Sequence, residues 1–191
     1  MKITGHEDLR VQRTIKNIQT AFKQLICEKR FEQITVKELS ERAQINKKTF
    51  YRYYQTLSDL LAEIQVQYSS GYLSITKGLR YPRDLAKSIQ TFFEYSTSQD
   101  RAYELITVSA SQSYMNIRQS MIDDVMNQTW GSDPEFKLLS KWQQQMVISF
   151  VQQTGLNVYC QWVLDGKPVP ISAAIDTAID LVHGGVNQFL K

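Results

Sequence analysis

The chain has 191 residues, 42% of them apolar, enough for one generous domain or two small ones. No run nears the eighteen or so apolar residues of a membrane span. The opening MKITGHEDLRVQR lacks the apolar core of a signal peptide, so a cytoplasmic location is expected. The net charge of +3 is unevenly spread: residues 1–60 hold twelve Lys/Arg and seven Asp/Glu, residues 61–191 ten and twelve. A basic first part suits phosphate binding, and the rest has another task.

Residues 1–9 read as a short polar arm. A first helix is expected from about Arg10 to Lys29, with Ile15, Ile18, Phe22, Leu25 and Ile26 on one face. Arg10, Arg13 and Lys16 stand at its start, where an anionic partner would relieve their opposition to the helix dipole; solvated basic residues explain them equally well. Thr35 followed by Glu38 predicts a capping box opening a short helix, about Val36 to Ala43, with Leu39 and Ala43 inward. Gln44, Ile45 and Asn46 form a turn, and Asn46 is a good N-cap for a second short helix over Lys47–Tyr54. Thr56, with Asp59 at N3, caps a longer helix whose apolar residues keep a helical period from Leu60 to Leu79, before Tyr81-Pro82 breaks it. Ser69, Ser70 and Gly71 mark a weak spot within it, where bending is expected.

Two short helices joined by three residues describe a helix-turn-helix, whose second helix in its DNA-binding form enters the major groove. Phe50 and Tyr54, four apart, point inward together. Lys47, Lys48, Thr49, Tyr51, Arg52 and Tyr53 cover the remaining circumference with cations for phosphate, a guanidinium for guanine and phenols for phosphate or a thymine methyl. With Thr35, Lys37 and Asn46 beside them, these are the expected DNA-contacting residues.

The run FEQITVKELSERAQINKKTFYRYYQTLSDLL, preceded by IKNIQTAFKQLICEKR, resembles the N-terminal domain of TetR-family transcriptional regulators. Phe31, Thr35-Val36, Leu39 and Ala43, Lys47, Thr49-Phe50-Tyr51 and Tyr53-Tyr54 carry the resemblance, over roughly residues 10–65. Arg30 stands where that family usually has a glycine, and Leu57 or Ser58 where a lysine is usual.

Beyond Pro82 only helical patterns appear. They cover about 83–96 (Leu85, Ile89, Phe92, Phe93), 101–111 (Leu105, Ile106), 113–129 (Ile117, Met121, Ile122, Val125, Met126) and 136–164 (Trp142, Met146, Phe150, Val151, Trp162). Trp130 to Pro134 is a loop, and Gly155 is a point of possible interruption in the helix that Gly166-Lys167-Pro168 ends. Ser172 is expected to cap a last helix bearing Ile171, Ile175, Ile179, Val182, Val186, Phe189 and Leu190. The fold class is therefore all-α with about nine helices: a helix-turn-helix domain over 1–60 and a helical effector-binding and dimerisation domain over 61–191. Cys27 and Cys160 read as buried free thiols, with a redox pair as the alternative.

The resemblance implies that the last two helices pair with a second copy, and their apolar excess agrees. Phe150, Ile175, Ile179, Val182, Val186 and Phe189 are the expected interface residues. It also implies an effector cavity, with Phe92, Phe93, Tyr103, Tyr114, Met121 and Trp142 as candidate lining; ordinary core packing explains the same residues. His6 and His183 are the only histidines, and no nucleophile, metal or phosphate-loop motif appears, so no catalysis, metal or cofactor is expected. Two functions fit: a homodimeric repressor that leaves a palindromic operator when a small effector binds, or a TetR-like dimer whose C-terminal part holds a protein partner as a co-activator or chromosome organiser.

Overall fold

The computed structural model describes residues 9–79, 82–109 and 134–186. Among them are nine α-helices and no strand: α1 (Leu9–Glu28), α2 (Val36–Arg42), α3 (Lys47–Tyr53), α4 (Leu57–Thr76), α5 (Leu85–Ser98), α6 (Arg101–Val108), α7 (Pro134–Leu138), α8 (Lys141–Leu164) and α9 (Ile171–Val186). The expected arm, the expected helix over 113–129 and the break at Tyr81 lie outside the described residues.

Two apolar clusters organise these helices. The first joins Ile18, Phe22, Leu25 and Ile26 of α1, Leu39 of α2, Phe50 of α3, and Leu60, Leu61 and Ile64 of α4. A short 3-10 turn, Phe31–Gln33, returns the chain from α1, and Phe31 meets Phe22 edge-on at 6.2 Å. This cluster also takes Ala102 and Ile106 of α6, so α6 is docked onto the helix-turn-helix unit. The second cluster joins Leu85, Ile89 and Phe93 of α5, Phe136 of α7, Val147, Val151, Tyr159 and Trp162 of α8, and Ala174, Ile175, Ala178 and Val182 of α9. Helix α4 runs from the first cluster toward the second and ends at Thr76, short of the Leu79 its periodicity suggested. Gly78 there takes φ +102°, which only glycine adopts without strain.

Other boundaries also differ from expectation. The pattern over 136–164 is two helices, because Ser140 and Gln143 form a reciprocal capping box that starts α8 afresh. Gly155, by contrast, lies within an unbroken α8. The last helix starts one residue before the expected cap Ser172, and the Pro170 carbonyl receives the Ala173 and Ala174 amides. Neither cysteine is fully buried: Cys27 is exposed and Cys160 half-buried, the latter with its thiol 3.5 Å from the Thr107 carbonyl. Among the described residues no helix is long and apolar enough to cross a membrane.

Candidate nucleic-acid interface

The recognition unit is built from its caps outward. Thr35 accepts the Glu38 amide at 3.2 Å, Asn46 the Thr49 amide at 2.8 Å, and Thr56 the Asp59 amide at 3.1 Å. Each such cap contributes about 1 kcal/mol. Only the Thr56 box is reciprocal. The expected return contact at Thr35 is replaced, because Lys29 at the end of α1 draws the Glu38 carboxylate to 2.7 Å. That ion pair fastens α2 to α1 instead.

Between α2 and α3, Gln44 adopts φ +55° and the Ile45 amide reaches back to the Ser40 carbonyl at 2.9 Å. The backbone thus reverses within three residues, with Ala43 buried beneath it. Phe50 and Tyr54 turn inward as their spacing requires, 0% and 4% exposed. Tyr54 donates to Glu63 of α4 at 3.0 Å, and Gln19 of α1 donates to the same oxygen at 2.9 Å. Burial, then the Glu63 charge, push the Tyr54 phenol well above its usual pKa, so it stays a donor. One carboxylate thereby fixes α3 between α1 and α4.

The opposite side of α3 is open. Lys47, Lys48, Tyr51 and Arg52 are exposed, with Thr35, Lys37 and Asn46 beside them; Thr49 and Tyr53 are half-buried. Among the described residues, Lys37, Lys47, Lys48 and Arg52 make no ion pair, whereas Lys23, Lys29, Arg30 and Arg42 all do. Four cations without an intramolecular ion pair thus stand on and beside the helix expected to meet DNA. Two expected contacts acquire a different part. Asn46 spends its side-chain oxygen on the Thr49 amide and hydroxyl. It orients the first turn of α3, and the Thr49 hydroxyl, whose proton is engaged, keeps only its acceptor lone pairs free.

The unit is tied to the rest of the chain through Asp100. This residue caps α6 by accepting the Tyr103 amide at 2.9 Å, and it also accepts Tyr68 of α4 at 2.6 Å and Lys23 of α1 at 2.9 Å. Burial raises the Asp100 pKa, but the bonds from Tyr68, Lys23 and the Tyr103 amide outweigh it and hold the carboxyl below its usual range. From there aromatic contacts run inward: Lys23 over Tyr68, Tyr68 on Tyr103, Tyr103 on Tyr95, Tyr95 on Tyr72, Tyr72 on Phe92, Phe92 on Tyr159.

Of the expected effector residues, Phe92, Phe93 and Tyr103 belong to this aromatic interior. Trp142 does not: it is 66% exposed on α8, in line at four-residue intervals with exposed Met146 and Phe150. Tyr114 and Met121 lie outside the described residues. Of the expected dimer residues, Phe150 is exposed and Ile179 half-buried, but Ile175 and Val182 pack into this chain's own core. Their small neighbours Ala174 and Ala178 bring α9 close to α8, which covers that stripe from within. The Val186 side chain and Phe189 lie outside the described residues. The large apolar side chains left exposed on these two helices are Trp142, Met146, Phe150 and Leu164 of α8 and Leu181 of α9.

Comparison of the folds decides the architecture. A TetR-like transcriptional regulator from Rhodococcus sp. RHA1 matches at TM-score 0.63 and 17% identity, over 91% of this chain and 96% of that one. The fatty acid degradation regulator FadR from Bacillus halodurans matches at TM-score 0.69 and 14% identity, over 90% and 95%. The fold is that of the TetR-type transcriptional regulators. FadR from Bacillus subtilis, in complex with stearoyl-CoA, shares this TetR-type fold at TM-score 0.64 and 14% identity, over 87% and 96%. No family model and no curated sequence matches the chain.

Proposed function

We propose that this protein is a homodimeric, sequence-specific DNA-binding regulator of transcription, with residues 1–60 as its DNA-binding part and 61–191 as its effector and dimerisation part. The observation that carries this reading is the unpaired basic and phenolic face of α3, presented by a rigidly capped helix-turn-helix. Its TetR-type fold supports the same reading. The exposed stripe Trp142–Met146–Phe150, with Leu181 of α9, is apolar surface of the kind a second copy covers. Two copies would bring two α3 helices to half-sites one DNA turn apart, about 34–36 Å or a multiple of it.

The action is repression relieved by a small molecule. The Bacillus subtilis FadR complex shows that a protein of this fold holds a ligand. Here the Asp100 node joins α1, α4 and α6, so a shift of α4 or α6 on effector binding reaches α1 directly. A ligand changes DNA affinity only as far as it prefers the arrangement that does not fit DNA. Such a protein works beside the chromosome, in the cytoplasm, and as a regulator rather than a catalyst.

The test is duplex binding against salt concentration. Wild type should lose affinity steeply with salt, and Lys48→Ala should flatten the slope by about one unit. A slope unchanged by both Lys47→Ala and Lys48→Ala would remove α3 from the interface.

A further inference from the structure

A groove runs between α1 and the turn that joins α2 to α3. Lys16, Thr20 and Gln24 follow at four-residue intervals, so they form one row about 12 Å long on α1, with Asn17 beside it. Arg42 and Gln44 line the other side. The space between them is about 300 Å³, roughly ten waters' share of liquid volume.

The side chains along this groove are unspent. Lys16, Asn17, Thr20, Gln24 and Gln44 make no side-chain hydrogen bond or ion pair among the described residues. Elsewhere on α1, Thr14 donates to the Arg10 carbonyl, Gln19 to Glu63 and Lys23 to Asp100. Arg42 is anchored by Glu28 through one nitrogen, which leaves further N–H groups of its guanidinium for a second acceptor. Gln44 has φ +55°, in the left-handed region that glycine and asparagine enter more easily than glutamine. Turn geometry alone therefore does not account for glutamine at this position, whereas a long amide at the edge of a binding groove does.

The lining selects the occupant. It offers two cations and four neutral donors, and no carboxylate is among its residues. Ammonium, guanidinium, amide and hydroxyl groups together are what hold phosphate oxygens. The groove also adjoins the cations of α3. Gln44 stands three residues before Lys47, at most about 10 Å of chain, and exposed Arg13 precedes Lys16 by about one turn.

We propose, resting on the DNA-binding reading above, that this groove receives a backbone phosphate of the bound duplex, outside the base pairs that α3 reads. Lys16 supplies the charge, Arg42 and Gln44 the donors that fix the phosphate oxygens. The contact carries no base preference and sets where the strand lies against α1.

The test is phosphate-ethylation interference with the whole protein, on a duplex it selects from a random pool. Lys16→Ala and Gln44→Gly should both cease to sense ethylation at the same phosphate in each half-site, while Lys48→Ala ceases to sense a different one. Gln44→Gly should bind the duplex roughly fivefold more weakly with its melting temperature equal or higher, because glycine relieves the turn. Interference patterns identical to wild type in both groove variants would overturn the assignment, even where Lys16→Ala lowers affinity, since loss of a distant charge does that without contact. Saturable binding of inorganic phosphate that Lys16→Ala abolishes, with unchanged interference patterns, would make the groove a site for a free anion and overturn the duplex as its source. Failure of wild type to select any duplex would instead overturn the DNA-binding reading itself, and this contact with it.

Discussion

Gly71, in the middle of α4, faces Tyr95 of α5 at a distance that only glycine permits. A Cβ at position 71 would lie 2.5 Å from the Tyr95 hydroxyl oxygen, which itself donates to the Tyr68 carbonyl at 2.6 Å. Alanine there must displace the phenol. The displacement forfeits a hydrogen bond worth about 1 kcal/mol and adds an overpacking cost of about 1–3 kcal/mol. Against this, alanine gains about 1 kcal/mol of helix propensity over glycine. The net effect of Gly71→Ala in wild type is a loss of about 1–3 kcal/mol, which lowers the melting temperature by roughly 2–4 °C per kcal/mol for a domain of this size. In a Tyr95→Phe background the clashing oxygen is gone; the next ring atoms stand 3.4 and 3.5 Å away, ordinary contact. There the same substitution should stabilise by up to about 1 kcal/mol. The sign reversal, a coupling of about 2–4 kcal/mol, is read from a double-mutant cycle in thermal or urea unfolding. An equal effect of Gly71→Ala in both backgrounds would refute the reasoning. The glycine also has a packing role here, which is to seat Tyr95 on the α4 backbone.

Further outcomes follow from the same geometry. Arg52→Ala should cost about 1–3 kcal/mol on a cognate duplex and relax discrimination at one base pair, seen in competition gel shifts. Trp142→Glu and Leu181→Glu should give well-folded monomers by light scattering, because both residues are exposed in the single chain. Ile175→Ala instead should cost about 2–5 kcal/mol of unfolding free energy in every assembly state, because it empties this chain's own core. Asp100, held below its unfolded pKa, contributes stability that is present above about pH 4 and lost as pH falls through its folded value. Asp100→Asn should remove that part of the acid transition followed by circular dichroism.

The N-terminal unit was legible because its signals are local. Thr35, Asn46 and Thr56 each accept the amide three residues on, and Phe50 and Tyr54 follow directly from a four-residue spacing. Glu38 read differently, since its partner Lys29 comes from another helix and local spacing does not register it. The break at Ser140 was spelled as S-x-x-Q, yet the apolar period ran across it and masked it. Ile175, Val182 and Trp142 show a deeper limit. A periodic stripe says that a face is covered, but whether this chain or a second copy covers it depends on packing at a distance.

Sequencing the duplexes that the protein selects from a random pool tests the central claim most directly. The account predicts a two-fold symmetric site whose half-site centres lie about one DNA turn, or a whole number of turns, apart. That site should be bound at physiological salt at least about a thousandfold more tightly than scrambled DNA, with the preference weakened by Arg52→Ala. A pool without enrichment, or equal binding to selected and scrambled duplexes at that salt, would contradict it.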